Sequence, residues 1–180
     1  MIEDRFIEVI DPILRDIGSK FDVGEEFRDP PLDVLRYYHR TVRLNWVPIF
    51  GKVHSVVTIV RQPGDISGSR SAYEQLLTRA AMAANGRFPP WRGLSIVLTV
   101  VVLTPEPIGP GEDGMLSEVL AIKLRRMRVV PLGLFRVNLG QEAIALAISK
   151  DPDGLFSEPG GLADSLCEQF RRYVPLFPEG

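Results

Sequence analysis

The sequence predicts an α+β domain: an antiparallel or mixed central sheet of about five strands with helices packed on it. Three observations predict it. Two pairs of β-prone segments are joined by short turn signals, Gly51-Lys52 and Gly140-Gln141, and read as hairpins. One segment, Gly93 to Thr104, is apolar without alternation, the pattern of a strand buried on both faces. Around these lie segments whose apolar residues recur every three to four positions, the spacing of a helix. The order of elements shows no regular strand–helix–strand alternation, so a doubly wound parallel sheet is not expected.

Each element rests on a local pattern. Ile2, Phe6, Ile10, Ile13, Leu14 and Ile17 form the apolar stripe of a first helix, kinked or restarted at Asp11-Pro12 and stopped by Gly18. Residues 19 to 30 are mostly polar and read as a loop. Asp29-Pro30-Pro31 opens a second helix, with Leu32, Leu35, Tyr38 and Val42 as its stripe. Leu44 to Phe50 reads as a short strand, paired as a hairpin with the β-branched run Val53 to Arg61. After the turn-rich Gln62 to Arg70 comes Ser71-Ala72-Tyr73-Glu74, a capping box. Tyr73, Leu76, Leu77, Ala80, Ala81 and Ala84 continue it as a helix ending at Asn85-Gly86, and its alanines imply close packing on a sheet.

The apolar segment 93 to 104 belongs in the middle of that sheet. A proline- and glycine-rich loop, Pro105 to Gly114, leads to a short helix marked by Leu116, Val119, Leu120 and Leu124. Arg128 to Leu139 and Glu142 to Lys150 are two further strands. In the second, Ile144, Leu146 and Ile148 alternate with Ala143, Ala145 and Ala147, so one face meets a core and the other admits a helix closely. Asp151-Pro152-Asp153-Gly154 is a turn, and Leu162, Leu166, Phe170 and Tyr173 define a last helix.

Composition bounds the function. The 180 residues read as one domain, 1–180, with ordinary apolar and charged fractions of 45% and 24%, which excludes disorder, collagen and coiled coil for the whole chain. A net charge of −2 excludes a globally basic nucleic-acid binder. Cys167 is the single cysteine, so there is no internal disulfide and no cysteine zinc site, and a reducing, cytoplasmic setting is expected. No apolar run reaches the ~20 residues of a membrane-spanning helix, and the acidic N-terminus does not read as a secretory signal. Arginine outnumbers lysine 17 to 4, a bias suited to bidentate contacts with carboxylate or phosphate and equally produced by codon usage.

Motif-like features resolve into ordinary structure. Gly109-Pro110-Gly111-Glu112-Asp113-Gly114 fits a dinucleotide-loop spacing, but two acids and a proline stand where backbone N–H groups must meet pyrophosphate. It reads as a loop that puts acids at a helix N-terminus. Asp151, Asp153 and Glu158 are only a fragment of a calcium loop. No metal site and no cofactor are expected.

The candidate site residues are cationic or polar. Arg36, Arg40 and Arg43 share one face of the second helix and form a possible anion site beside Tyr37. Ser69 and Arg70 precede or open the next helix and suit an anion at its N-terminus. The primary expectation is a non-catalytic protein-binding or self-associating module, a homodimer included. One alternative is a hydrolase or nuclease assembled from distant segments, with His39, His54, Asp65 and Glu74 to inspect first. Another is an anion or nucleic-acid binder using the arginine-rich helix face; nucleic acid is not the favoured partner, and no membrane is expected.

Overall fold

A computed structural model of the chain describes residues 2–16, 22–24, 27–29, 32–43, 52–62, 64, 66, 68–87, 95–121, 128–149 and 158–169. The elements run α1 (Ile2–Asp16), β1 (Asp22–Gly24), β2 (Phe27–Asp29), β3 (Leu32–Arg43), β4 (Lys52–Arg61), α2 (Arg70–Arg87), β5 (Ser95–Leu103), α3 (Glu112–Leu120), β6 (Val129–Asn138), β7 (Ala143–Ile148) and α4 (Glu158–Gln169). Five long strands lie in the order β3-β4-β5-β6-β7, and the short β1 and β2 both pair with β3. The sheet is mixed. β3 runs antiparallel to β4, β4 to β6 are mutually parallel, and β7 returns antiparallel to β6. The fold is α+β, as the sequence predicts. None of the described helices is long and apolar enough to cross a membrane.

Two cores sandwich the sheet. On one face α2 and α3 pack over Val56, Val60, Ile96, Leu98, Val100 and Leu134. On the other, α1 and α4 pack over Val57, Ile59, Val101, Phe135, Ile144 and Leu146. β5 is buried on both sides, which explains its unbroken apolar run. The alternation in β7 is used as predicted: Ala145 and Ala147 face α3's core, and Ile144 and Leu146 face α4's. The buried residues of α2 are Tyr73, Leu76, Leu77, Ala80, Ala81 and Ala84, the predicted stripe.

The structure corrects several expectations. Residues 32–43 form β3, not a helix. Their apparent i, i+3 stripe comes from a bulge: the register advances by one between Val34 and Arg36, leaving Leu35 as the extra residue. Leu32 and Val34 therefore enter one core, and Leu35 and Tyr38 the other. β-branched and aromatic residues pair along β4 for nearly its full length, and this pairing outweighs the helical spacing. The antiparallel partner of β4 is thus β3; residues 44–51, the expected strand and turn, lie outside the described residues. The stretch expected as a loop contains β1 and β2. Helix α1 continues through Pro12, and α2 continues past Asn85-Gly86 to Arg87. The helices α2 and α3 each cross between neighbouring parallel strands, so two strand–helix–strand units sit inside a sheet expected to lack them. Both helices cover the same face, so the sheet is not doubly wound.

Candidate functional site

The densest unexplained polar cluster lies on the α2 face at the β3 side of the sheet. His39 lies opposite Val56, and His54 lies opposite Thr41. The two histidines are thus diagonal neighbours on adjacent antiparallel strands, close enough for long side chains to meet. His39 Nε2 and His54 Nδ1 are 2.8 Å apart, with ring centroids 4.9 Å apart and ring planes at 42°. Thr41 Oγ1 lies 3.5 Å from the same His54 nitrogen. Two residues before His39, Tyr37 stands on the same side of β3, and the guanidinium carbon of Arg87 sits 4.3 Å from the centroid of its ring. Arg87 also donates a hydrogen bond to the Tyr37 hydroxyl. Arg87 is the last residue of α2, where a cation is favoured by the helix dipole. The cleft beneath it is lined by Leu32, Val56, Thr58 and, from α2, Ala80, Ala83 and Ala84.

This strip is rich in donors. It offers a guanidinium, a phenol, a threonine hydroxyl and two imidazoles, held by two strands and a helix terminus. Of the described acids on this face, Asp22 of β1 lies opposite His39 in the strand register and Asp29 of β2 lies opposite Leu32, while the others sit near the far end of α2. Glu74 pairs with Arg70, which also reaches Glu118. Glu112 and Asp113 begin α3. Glu74 is thirteen residues before Arg87 on α2, about 20 Å along the axis at 1.5 Å per residue. His39 and His54 therefore converge as the assembled-site expectation requires, Glu74 does not join them, and Asp65 lies outside the described residues.

The arginines lie on a strand, not on a helix face. With a repeat of two, Arg36 and Arg40 stay on one face of β3, the side of Tyr38 and α1, and Arg43 falls on the other. Arg36 donates to Asp11 of α1 at 2.9 Å, and Tyr38 donates to the same carboxylate. Arg43 is the last residue of β3, opposite Lys52. Arg70 is committed to Glu74 and Glu118. Ser69 caps α2: its Oγ accepts from the Ala72 N–H at 3.3 Å. Ser71, the predicted cap, instead accepts from the Gln75 side chain within the helix. Arg61 pairs with Asp33 on the neighbouring strand. Arg125, Arg126, Arg171, Arg172, both tryptophans and the Asp151–Asp153 turn lie outside the described residues.

The glycine-rich loop also has a structural explanation. Glu112 and Arg136 are both buried. Glu112 accepts from Arg136 and the Tyr73 hydroxyl, and from the Gly109 N–H at 3.0 Å. A second guanidinium nitrogen of Arg136 donates to the Glu106 carbonyl, and Asn138 ties the carbonyls of Pro105 and Glu106. Asp113 accepts the Leu146 N–H of β7 at 2.7 Å. The two acids that contradict pyrophosphate binding thus lock α3 and its loop to α2, β6 and β7. Removing one member of such a buried pair costs about 3–5 kcal/mol because the other charge stays buried.

Sequence reasoning singled out both histidines but not their approach to one another. That approach requires β3 to be a strand and its register with β4 to be known. Among the described residues no three His, Cys, Asp or Glu side chains gather as a metal-ligating group. No protein-family model, curated protein or solved structure matches the chain.

Proposed function

We propose that this chain is a non-catalytic binding module that recognises an acidic protein segment through the strip Tyr37, His39, Thr41, His54 and Arg87. The observation that supports this reading is the placement of a guanidinium and two imidazoles together on one face of the sheet. A carboxylate meeting this strip makes charge-assisted hydrogen bonds, which are about twice as strong as neutral ones. The site takes over the role that the sequence assigns to Arg36, Arg40 and Arg43, using different residues.

The test is fluorescence anisotropy with a labelled glutamate-rich peptide against the full chain. Saturable binding that weakens with added salt is expected. Arg87→Ala should weaken it by roughly 10-fold or more, since a hydrogen bond to a charged group contributes about 1.5–3 kcal/mol. Absence of binding, or equal affinity in the variant, overturns the reading. The short His39–His54 approach also favours a second reading, a hydrolase with these residues as its acid–base pair. Turnover of an ester or phosphodiester, lost in both His39→Ala and His54→Ala, would identify that activity.

A further inference from the structure

The geometry points to a two-histidine site for a divalent copper or nickel ion, bridging β3 and β4 through His39 Nε2 and His54 Nδ1. The two nitrogens come from neighbouring strands and lie 2.8 Å apart. At a metal–nitrogen bond of about 2.05 Å, cis ligands of a square-planar ion stand about 2.9 Å apart, whereas tetrahedral ligands stand about 3.3 Å apart. The hydrogen-bonded separation is within about half an ångström of both values, so a turn of the rings lets one ion take both nitrogens, and the choice of metal rests on ligand preference. Tetragonal nitrogen and oxygen coordination is characteristic of copper(II) and nickel(II), and copper binds such sites more tightly in the general order of affinities.

The rings now face one another across a hydrogen bond. A metal ion takes the place of the bridging proton, which passes by way of solvent to the other nitrogen of its own ring so that both ligands are neutral imidazoles, and each ring turns about its Cβ–Cγ bond to aim its lone pair at the ion. That torsion is broad and soft. The Thr41 hydroxyl, 3.5 Å from His54 Nδ1, is placed to orient a water in a remaining position. β3 and β4 pair from Asp33 with Arg61 through to Arg43 with Lys52, so the backbones that carry the ligands are fixed before the ion arrives. The inference shares the imidazoles with the acidic-partner reading but does not rest on it, because copper binding does not use Arg87.

The experiment is a titration of the full chain, in a Cys167→Ser background, with copper(II) chloride alone, followed by electron paramagnetic resonance and calorimetry. One ion per chain is expected, with a hyperfine pattern from two imidazole nitrogens. His39→Ala and His54→Ala should each weaken binding by more than the roughly 10–100-fold that outer-shell changes cost. Arg87→Ala should leave it unchanged while weakening peptide binding by roughly 10-fold or more, so the two proposals fail separately. His54→Asn retains a hydrogen-bonding group opposite Thr41, and a thermal melt establishes that it folds. A wild-type spectrum without two nitrogen ligands, or copper binding that survives in the folded His54→Asn chain, overturns the site.

Discussion

Single residues carry conformations that general rules disfavour, and Glu142 is one. It is exposed in the turn between β6 and β7 and has φ 51°, in the left-handed region. A side chain there costs about 1–2 kcal/mol, and glycine avoids the penalty. The turn is held from its other side by Asn138, whose Oδ1 accepts the Gln141 N–H at 2.8 Å. Glu142→Gly should therefore stabilise the fold by about 0.5–1 kcal/mol, after allowing for the greater freedom of glycine in the unfolded chain. At roughly 2–4 °C per kcal/mol for a chain of this size, the melting temperature rises by about 1–4 °C. Glu142→Val should lower it, because a β-branched residue fits the left-handed region worst. Calorimetric melts of the two variants decide it: a fall in both would mean that the Glu142 side chain matters more than its backbone.

At the scale of elements, α2 shows what a cap contributes. Two described serines stand near its start, and of these Ser69 accepts a first-turn backbone N–H while Ser71 accepts from Gln75. Ser69→Ala should cost about 0.5–2 kcal/mol, whereas Ser71→Ala should stay within about 0.5 kcal/mol as a surface change. Urea denaturation of both variants checks the ranking, and equal losses would move the cap back to Ser71. The body of this helix is legible in sequence because six buried residues repeat at one period against the sheet. β7 is legible for the same reason with period two. β3 is not, because its bulge converts a period of two into an apparent period of three, and because its stability comes from the distant β4. The arginine stripe loses Arg43 along with the helix that defined it, while Arg36 and Arg40 keep a common face. The His39–His54 approach is hidden by the same error: the two positions are fifteen residues apart and meet only through the β3–β4 register.

Across the whole molecule the two cores share a device on opposite faces of the sheet. In one, buried Tyr73 of α2 donates to Glu112 of α3; in the other, buried Tyr38 of β3 donates to Asp11 of α1. Burial, and then the hydrogen bond to a carboxylate, push both phenols well above the ordinary tyrosine range. The sign of the linkage follows. Above about pH 10 the unfolded chain releases these protons while the folded chain keeps them. The folded state then binds more protons, so stability falls as pH rises, by up to about 1.4 kcal/mol per pH unit for each tyrosine. Below pH 10 the contribution is fully present. Guanidinium denaturation between pH 8 and 11 should thus show a plateau and then a steep loss. Tyr38→Phe and Tyr73→Phe should each cost about 1–3 kcal/mol at pH 8, as a hydrogen bond to a charged group does. Each should also remove about half of the alkaline slope, so that variant and wild type converge as pH rises. A wild-type slope retained in both variants would place the alkaline sensitivity elsewhere. Loss of slope in only one would mean that a single core governs the unfolding of the whole sheet.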